Sequence, residues 1–161
     1  MMPPRIMVIG IGNIERGDDG AGRAVARLLR HMLPGGMEIV EQDGEATALL
    51  ARLQGASAVY LVDACMSNAP PGTVHRIDAH HAPLPQASSD LSTHGFGLAA
   101  AIELGRALGQ LPPRAIVYAI EAESFAAGAP LSESVAAATV IVADRIRSEI
   151  EECSHPSTSS G

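Results

Sequence analysis

The sequence predicts an α/β fold, a mainly parallel sheet covered by helices on both faces. Short apolar runs alternate with longer helical patterns along the chain. The first run, Ile6-Met7-Val8-Ile9-Gly10-Ile11, is continuously apolar, as in a strand buried on both faces rather than one with a wet side. The chain has 161 residues, 47% of them hydrophobic, which suits one compact domain. Its core must be aliphatic, because only two Phe, two Tyr and no Trp are present.

Residues 6–11 form the first strand, and a turn-rich loop carries the chain from Asn13 to Asp19. Residues 21–33 read as a helix with Val25, Leu28, Leu29 and Met32 on one face, stopped by Pro34-Gly35-Gly36. Residues 37–41 are a second strand, and 45–53 a short helix built on Ala48, Leu49, Leu50 and Leu53. Strands follow at 58–62 and 73–77, then a helix over 93–108 capped at or near Thr93. Residues 115–120 make the fifth strand, and a last helix runs from Ser132, its N-cap, to about residue 151. No repeat or linker divides the chain, so residues 1–153 are read as one domain and 154–161 as a polar tail.

One junction departs from parallel alternation. Only nine residues separate Asp63 from Thr73, and they include Pro70-Pro71-Gly72. A parallel crossover takes about a dozen or more residues, so the fourth strand is expected to run antiparallel to the third.

Composition excludes several function classes. A formal charge of −7 with no basic stripe argues against nucleic acid or an anionic membrane surface as partner. No run reaches the roughly 18 apolar residues of a membrane span, and the N-terminus lacks the layout of a signal peptide. The two cysteines, Cys65 and Cys153, make no CxxC pair. A reducing cytoplasm is the expected compartment.

Gly10-Ile11-Gly12 after a strand suggests a dinucleotide site, but the third glycine of that fingerprint is replaced by Glu15, whose charge would face a pyrophosphate. Gly10 and Gly12 are instead expected to permit a tight turn and close helix packing. In Asp18-Asp19-Gly20 one carboxylate could cap the next helix. A pair is more than a cap needs, which leaves a ligand role open for one of them. Asp19, Asp63 and His94 each lie at an expected strand end or helix start. In open α/β sheets, ligands bind at the carboxyl ends of the parallel strands.

Several motifs in order carry a resemblance. Gly10-Ile11-Gly12-Asn13-Ile14-Glu15-Arg16-Gly17-Asp18-Asp19-Gly20-Ala21-Gly22 resembles the N-terminal signature of the hydrogenase maturation endopeptidases. Leu61-Val62-Asp63-Ala64, Pro71-Gly72-Thr73, Ser92-Thr93-His94-Gly95-Phe96-Gly97-Leu98, and Ile120-Glu121-Ala122-Glu123-Ser124-Phe125 with Leu131-Ser132 are similar to its later motifs. The resemblance spans residues 5–150. It implies a three-layer α/β/α sandwich of the phosphorylase/hydrolase-like kind, with a mixed five-stranded sheet of order 2-1-3-5-4 and strand 4 antiparallel. It further implies an endopeptidase that trims the C-terminal extension of a nickel-iron hydrogenase large-subunit precursor. Asp19, Asp63 and His94 would be its nickel-binding triad, with Asp19 standing where the family has Glu or Asp. The family often carries a Gly-Gly-Thr-x-Gly-like loop after strand 2. Here it is Gln42-Asp43-Gly44-Glu45-Ala46, a departure that bears on which precursor is recognised.

An imidazole and two carboxylates suit nickel or zinc better than calcium or magnesium. The zincin motif is missing, and His80-His81 sit in a proline-rich loop, expected exposed. In the scheme that the resemblance implies, the nickel is carried by the precursor, and Asp19 or Asp63 serves as general base. A monomer is expected. Cys65, two residues past Asp63, could be a nucleophile activated by His94, but an inert buried cysteine is the commoner case. Glu121 and Glu123 are open between a role beside the site and solvated loop carboxylates. Phe96 and Phe125 are open between loop packing and substrate contact. The competing class is a non-enzymatic nickel-binding or maturation accessory module using the same triad.

Overall fold

A computed structural model describes residues 4–84 and 93–154, with residues 93–96 and 153–154 described in their backbone only. The elements are β1 (Ile6–Ile11), a 3-10 turn (Gly17–Gly20), α1 (Ala21–Met32), β2 (Glu38–Gln42), α2 (Ala46–Leu53), β3 (Ala58–Cys65), β4 (Val74–Asp78), α3 (Thr93–Ala107), β5 (Arg114–Glu121) and α4 (Glu133–Ser154). The strands form one sheet of order β2-β1-β3-β5-β4. β1 pairs parallel with β2 and β3, and β3 parallel with β5, while β4 pairs antiparallel with β5. The mixed five-stranded sheet expected from the motifs is therefore present, and the short junction after β3 does precede a reversed strand. β4 is not a neighbour of β3. Residues 66–73 arch over the end of β5, which fills the slot between them. Gly72 N–H donates to the Glu121 carbonyl at 2.8 Å, and Glu121 N–H to the Thr73 carbonyl at 2.9 Å.

Side chains alternate across each strand and divide the core in two. Val8, Tyr60, Val62, Tyr118 and Ile120 face α1 and α4, with Val25, Leu29, Val135, Val142 and Ile146. Met7, Ile9, Ile11, Leu61 and Val117 face α2 and α3, with Leu49, Leu53, Leu98 and Ile102. Most element boundaries shift by a residue or so from the sequence reading, and three of the differences have a structural reason. β3 continues through Asp63 to Cys65 because β5 runs far enough to pair Cys65 with Glu121. Asp63 and Glu121 are thus strand residues, not residues of the loops beyond. α1 ends at Met32, which is 38% exposed. Leu33 takes its place in the core, turning inward in extended conformation while its N–H donates to the Leu29 carbonyl. The backbone of α4 runs through Ser154, the first residue of the expected tail; residues 155–161 lie outside the described residues.

Helix α1 lies against β1 and β3 through its first turn. A Cβ on Gly22 would stand 2.3 Å from the Val62 carbonyl oxygen and 2.4 Å from that of Ile11. Gly10 meets the same approach from the strand side, 2.3 Å from the Gly22 carbonyl oxygen. All three obstacles are backbone, which yields less than a side chain end. Gly22→Ala is expected to cost about 2 kcal/mol, as overpacking of a tight interior does. A shift of the urea midpoint at constant slope checks it.

Candidate functional site

The site begins in the loop between β1 and α1. Gly12, at φ +139°, turns the chain so sharply that a Cβ there would fall 1.8 Å from the Asp19 carbonyl oxygen. That oxygen accepts from Asn13 N–H at 3.2 Å, and Asp19 Oδ2 accepts from the same N–H at 3.2 Å. Asp19 is 1% exposed and Asp63, within β3, is 2% exposed. The two carboxylates are electrostatically coupled. Burial, and then the Asp19 charge, push the Asp63 carboxyl well above its ordinary value, against a lowering hydrogen bond from Ala64 N–H. That bond, 2.8 Å long, goes to Asp63 Oδ1. Asp63 Oδ2 is buried with no hydrogen-bond partner among the described residues.

The neighbouring Asp18 has a different role. Its Oδ1 accepts from Ser132 N–H at 2.7 Å, and its Oδ2 from Glu123 N–H, Ser124 N–H and the Ser132 hydroxyl at 2.8, 3.2 and 3.0 Å. Asp18 therefore ties the 3-10 turn to the loop after β5 and to the start of α4. Neither aspartate caps α1, whose N-cap is Gly20. Ser132 does precede α4, as expected of a cap, but its hydroxyl donates to Asp18.

His94 falls in the first turn of α3, and its side chain lies outside the described residues. The placement of that turn is defined by its neighbour. A Cβ on Gly97 would sit 1.8 Å from the Gly44 carbonyl oxygen, so the start of α3 packs on the loop that follows β2. Leu98, Ala101 and Ile102 bury against the face of the sheet to which Leu61 and, two residues on, Asp63 belong. Asp63 and the start of α3 thus share one face at the carboxyl ends of the parallel strands.

A residue that the sequence names only as the start of the departing loop is Gln42, the last of β2. It pairs with Ile11, and its Oε1 is buried without a hydrogen-bond partner among the described residues. Its position where the family's glycine-rich loop begins was the available signal. Glu121, open between two readings, is 1% exposed, while Glu123 is exposed. Phe125 packs against the core on the α1 and α4 side; Phe96 lies outside the described side chains. His80 and His81 are exposed, as expected, and His80 Nε2 pairs with the Pro112 carbonyl at 2.7 Å. Cys65 is half-buried, and burial together with the Glu121 charge pushes its thiol up. That is opposite to the lowered value of a cysteine nucleophile.

A buried carboxylate oxygen without a donor, beside a second carboxylate, favours a positive charge next to it. Oxygen donors with an imidazole fit a borderline divalent ion such as nickel or zinc, so the Asp19 and Asp63 arrangement fits the group that the motifs imply.

The profile of the hydrogenase maturation proteases matches residues 23–149. The chain belongs to the hydrogenase maturation protease family. Relatives include the hydrogenase expression/formation protein HupD of Thiocapsa roseopersicina, 28% identical over 120 residues, which are 73% of this chain and 54% of the relative. The hydrogenase 2 maturation protease of Escherichia coli K12 is 29% identical over 125 residues, 75% of each chain. The chain spans about half the length of the first of these relatives. The fold agrees with that of the hydrogenase maturating endopeptidase HybD from Escherichia coli at a TM-score of 0.77 and 24% identity, covering 92% of this chain and 93% of that one. The nickel-iron hydrogenase maturation protease HybD from Thermococcus kodakarensis gives 0.68 at 21% identity, over 89% and 97%. Among the described residues, no helix is long and apolar enough to cross a membrane.

Proposed function

We propose that this chain is an endopeptidase that removes the C-terminal extension of a nickel-iron hydrogenase large-subunit precursor after nickel insertion, in the cytoplasm. Membership of the family supports the reaction class and the kind of partner. The observation that carries the metal dependence is the Asp19 and Asp63 pair, with Asp63 Oδ2 buried and without a donor. Asp19, Asp63 and His94 are the residues proposed to meet the nickel, which arrives on the precursor. When bound, the ion supplies Lewis-acid polarisation of the scissile carbonyl or of a water. Asp63 is held by Ala64 N–H through one oxygen and offers the other. Its raised proton affinity suits a carboxylate that takes a proton from the attacking water. Asp19 keeps a negative charge density next to it and is the second candidate for that base.

The test is cleavage of purified nickel-loaded precursor beside the nickel-free form, with wild-type protein and His94→Ala. Cleavage of only the loaded form, reduced at least about a hundredfold in the variant, is the expected result. Equal cleavage of both forms would refute the metal reading. If neither form is cleaved by a protein that still binds nickel, the non-enzymatic accessory module becomes the better account.

A further inference from the structure

A second cluster of metal-capable side chains lies beside the carboxylate pair, on residues the reaction above does not use. Cys65 ends β3, His75 lies in β4 and Glu121 ends β5. Cys65 pairs with Glu121 across β3 and β5, and His75 pairs with Ala119 one step back on β5. The alternation of strand side chains puts all three on the face covered by α2 and α3. Their donor atoms, one sulfur, one imidazole nitrogen and one carboxylate oxygen, all lie within 4.8 Å of one another.

The surroundings hold this cluster as a site is held. Glu121 is 1% exposed, and His75 is its ion-pair partner at 2.9 Å. Ser67, from the arch over β5, fixes the carboxylate through its N–H to Oε2 at 3.1 Å and its hydroxyl to Oε1. Burial works to raise the Glu121 carboxyl, but the bonds from Ser67 and His75 outweigh it and hold it below its ordinary value. The carboxylate is thus charged, buried and oriented by a neighbouring donor, as metal-ligating carboxylates are. The His75 side chain is 29% exposed, which leaves an entry from solvent at the β4 edge of the sheet.

We propose that Cys65, His75 and Glu121 bind a divalent ion of the zinc class, with the fourth position open to water, as a site separate from Asp19 and Asp63. A thiolate with an imidazole and one carboxylate is a donor set for zinc or cobalt(II) and a poor one for calcium or magnesium. Binding displaces the Cys65 thiol proton to solvent, and the metal–sulfur bond forms in its place. The ion would join three strands and pin the arch of residues 66–73. Asp63 and Cys65 are two residues apart on one face of β3, about 7 Å between Cα atoms, so the occupant would sit next to the proposed catalytic carboxylates. This inference does not depend on the proteolytic reading.

Cobalt(II) alone, titrated into the chelator-stripped full chain, tests it, because thiolate ligation produces a sulfur-to-cobalt charge-transfer band in the near ultraviolet. Wild type, Asp63→Asn and Cys153→Ser are expected to show the band with one equivalent of cobalt, and zinc to abolish it by displacement. Cys65→Ser is expected to lose it. Glu121→Gln and His75→Ala are expected to weaken cobalt binding at least tenfold while circular dichroism stays that of the wild type. A folded wild-type protein without the band would overturn the proposal. So would a band that survives Cys65→Ser, or one lost in Asp63→Asn with its full helical signal retained.

Discussion

Replacing Asp63 with Asn is expected to lower precursor cleavage by at least about a hundredfold, and to make the metal-free protein more stable at neutral pH. The two effects have one cause. Asp63 is buried beside Asp19, and its carboxyl is held well above its ordinary value, first by burial and then by that neighbouring charge. In the unfolded chain an aspartate loses its proton near pH 4. Between that value and the higher folded one, the native state binds more protons than the unfolded state, so stability falls as pH rises. Below about pH 4 both states are protonated and the penalty vanishes. Asparagine has the shape of the protonated acid, keeps an oxygen for Ala64 N–H and carries no charge toward Asp19. In chelator, the melting temperature of the variant should therefore exceed that of the wild type at pH 7 and converge with it toward pH 4. Saturating nickel should raise the wild type by more than the variant, which lacks the Asp63 ligand, by ligand binding to the native state. A variant that is less stable than the wild type at pH 7 in chelator would show that the Asp63 charge is not a burden there. Undiminished cleavage would remove Asp63 from the chemistry.

The carboxylate pair was legible in the sequence; its division of labour was not. Asp18 and Asp19 are adjacent, and either could have turned inward. The choice is made by the 3-10 turn, which points Asp18 at the backbone of residues 123, 124 and 132, over a hundred positions away. No local pattern carries that contact. The antiparallel direction of β4 followed from a connection too short to cross over, and continuous apolar runs marked three of the parallel strands, β1, β3 and β5. Strand ends were less legible. Asp63 looked like a residue beyond β3, because a polar residue normally closes an apolar run. It is instead paired in the sheet, since β5 extends as far as Glu121. The cluster of Cys65, His75 and Glu121 was illegible for the same reason. His75 reaches it only through the register of β4 on β5, and register between distant segments is not written in either one. The His94 motif stood out in the sequence, and the structure describes its backbone at the head of α3.

Asp18→Ala is expected to destabilise the protein by about 3–5 kcal/mol, the range for breaking a buried, charge-assisted network from one side. Four donors lose their acceptor together: the backbone N–H groups of Glu123, Ser124 and Ser132, and the Ser132 hydroxyl. Asp18 is 1% exposed, so water does not replace the carboxylate without opening the loop. One bond would survive, Asp18 N–H to the Ser124 carbonyl at 3.0 Å, because it uses backbone alone. The damage is therefore predicted to be uneven. Residues 122–132 should become the first site of proteolytic nicking, and their amides should exchange faster, while those of β1 and β3 keep their relative protection. Asp18→Asn keeps one acceptor oxygen and should lose less than the alanine variant. The distinction from Asp63 is then sharp. Removing the charge at position 63 relieves a buried repulsion, and removing it at position 18 dismantles the bond network that sets Asp19 in place. A loss below about 1 kcal/mol in Asp18→Ala, the size of a single neutral hydrogen bond, would show that the loop after β5 is held by its packing and not by this aspartate.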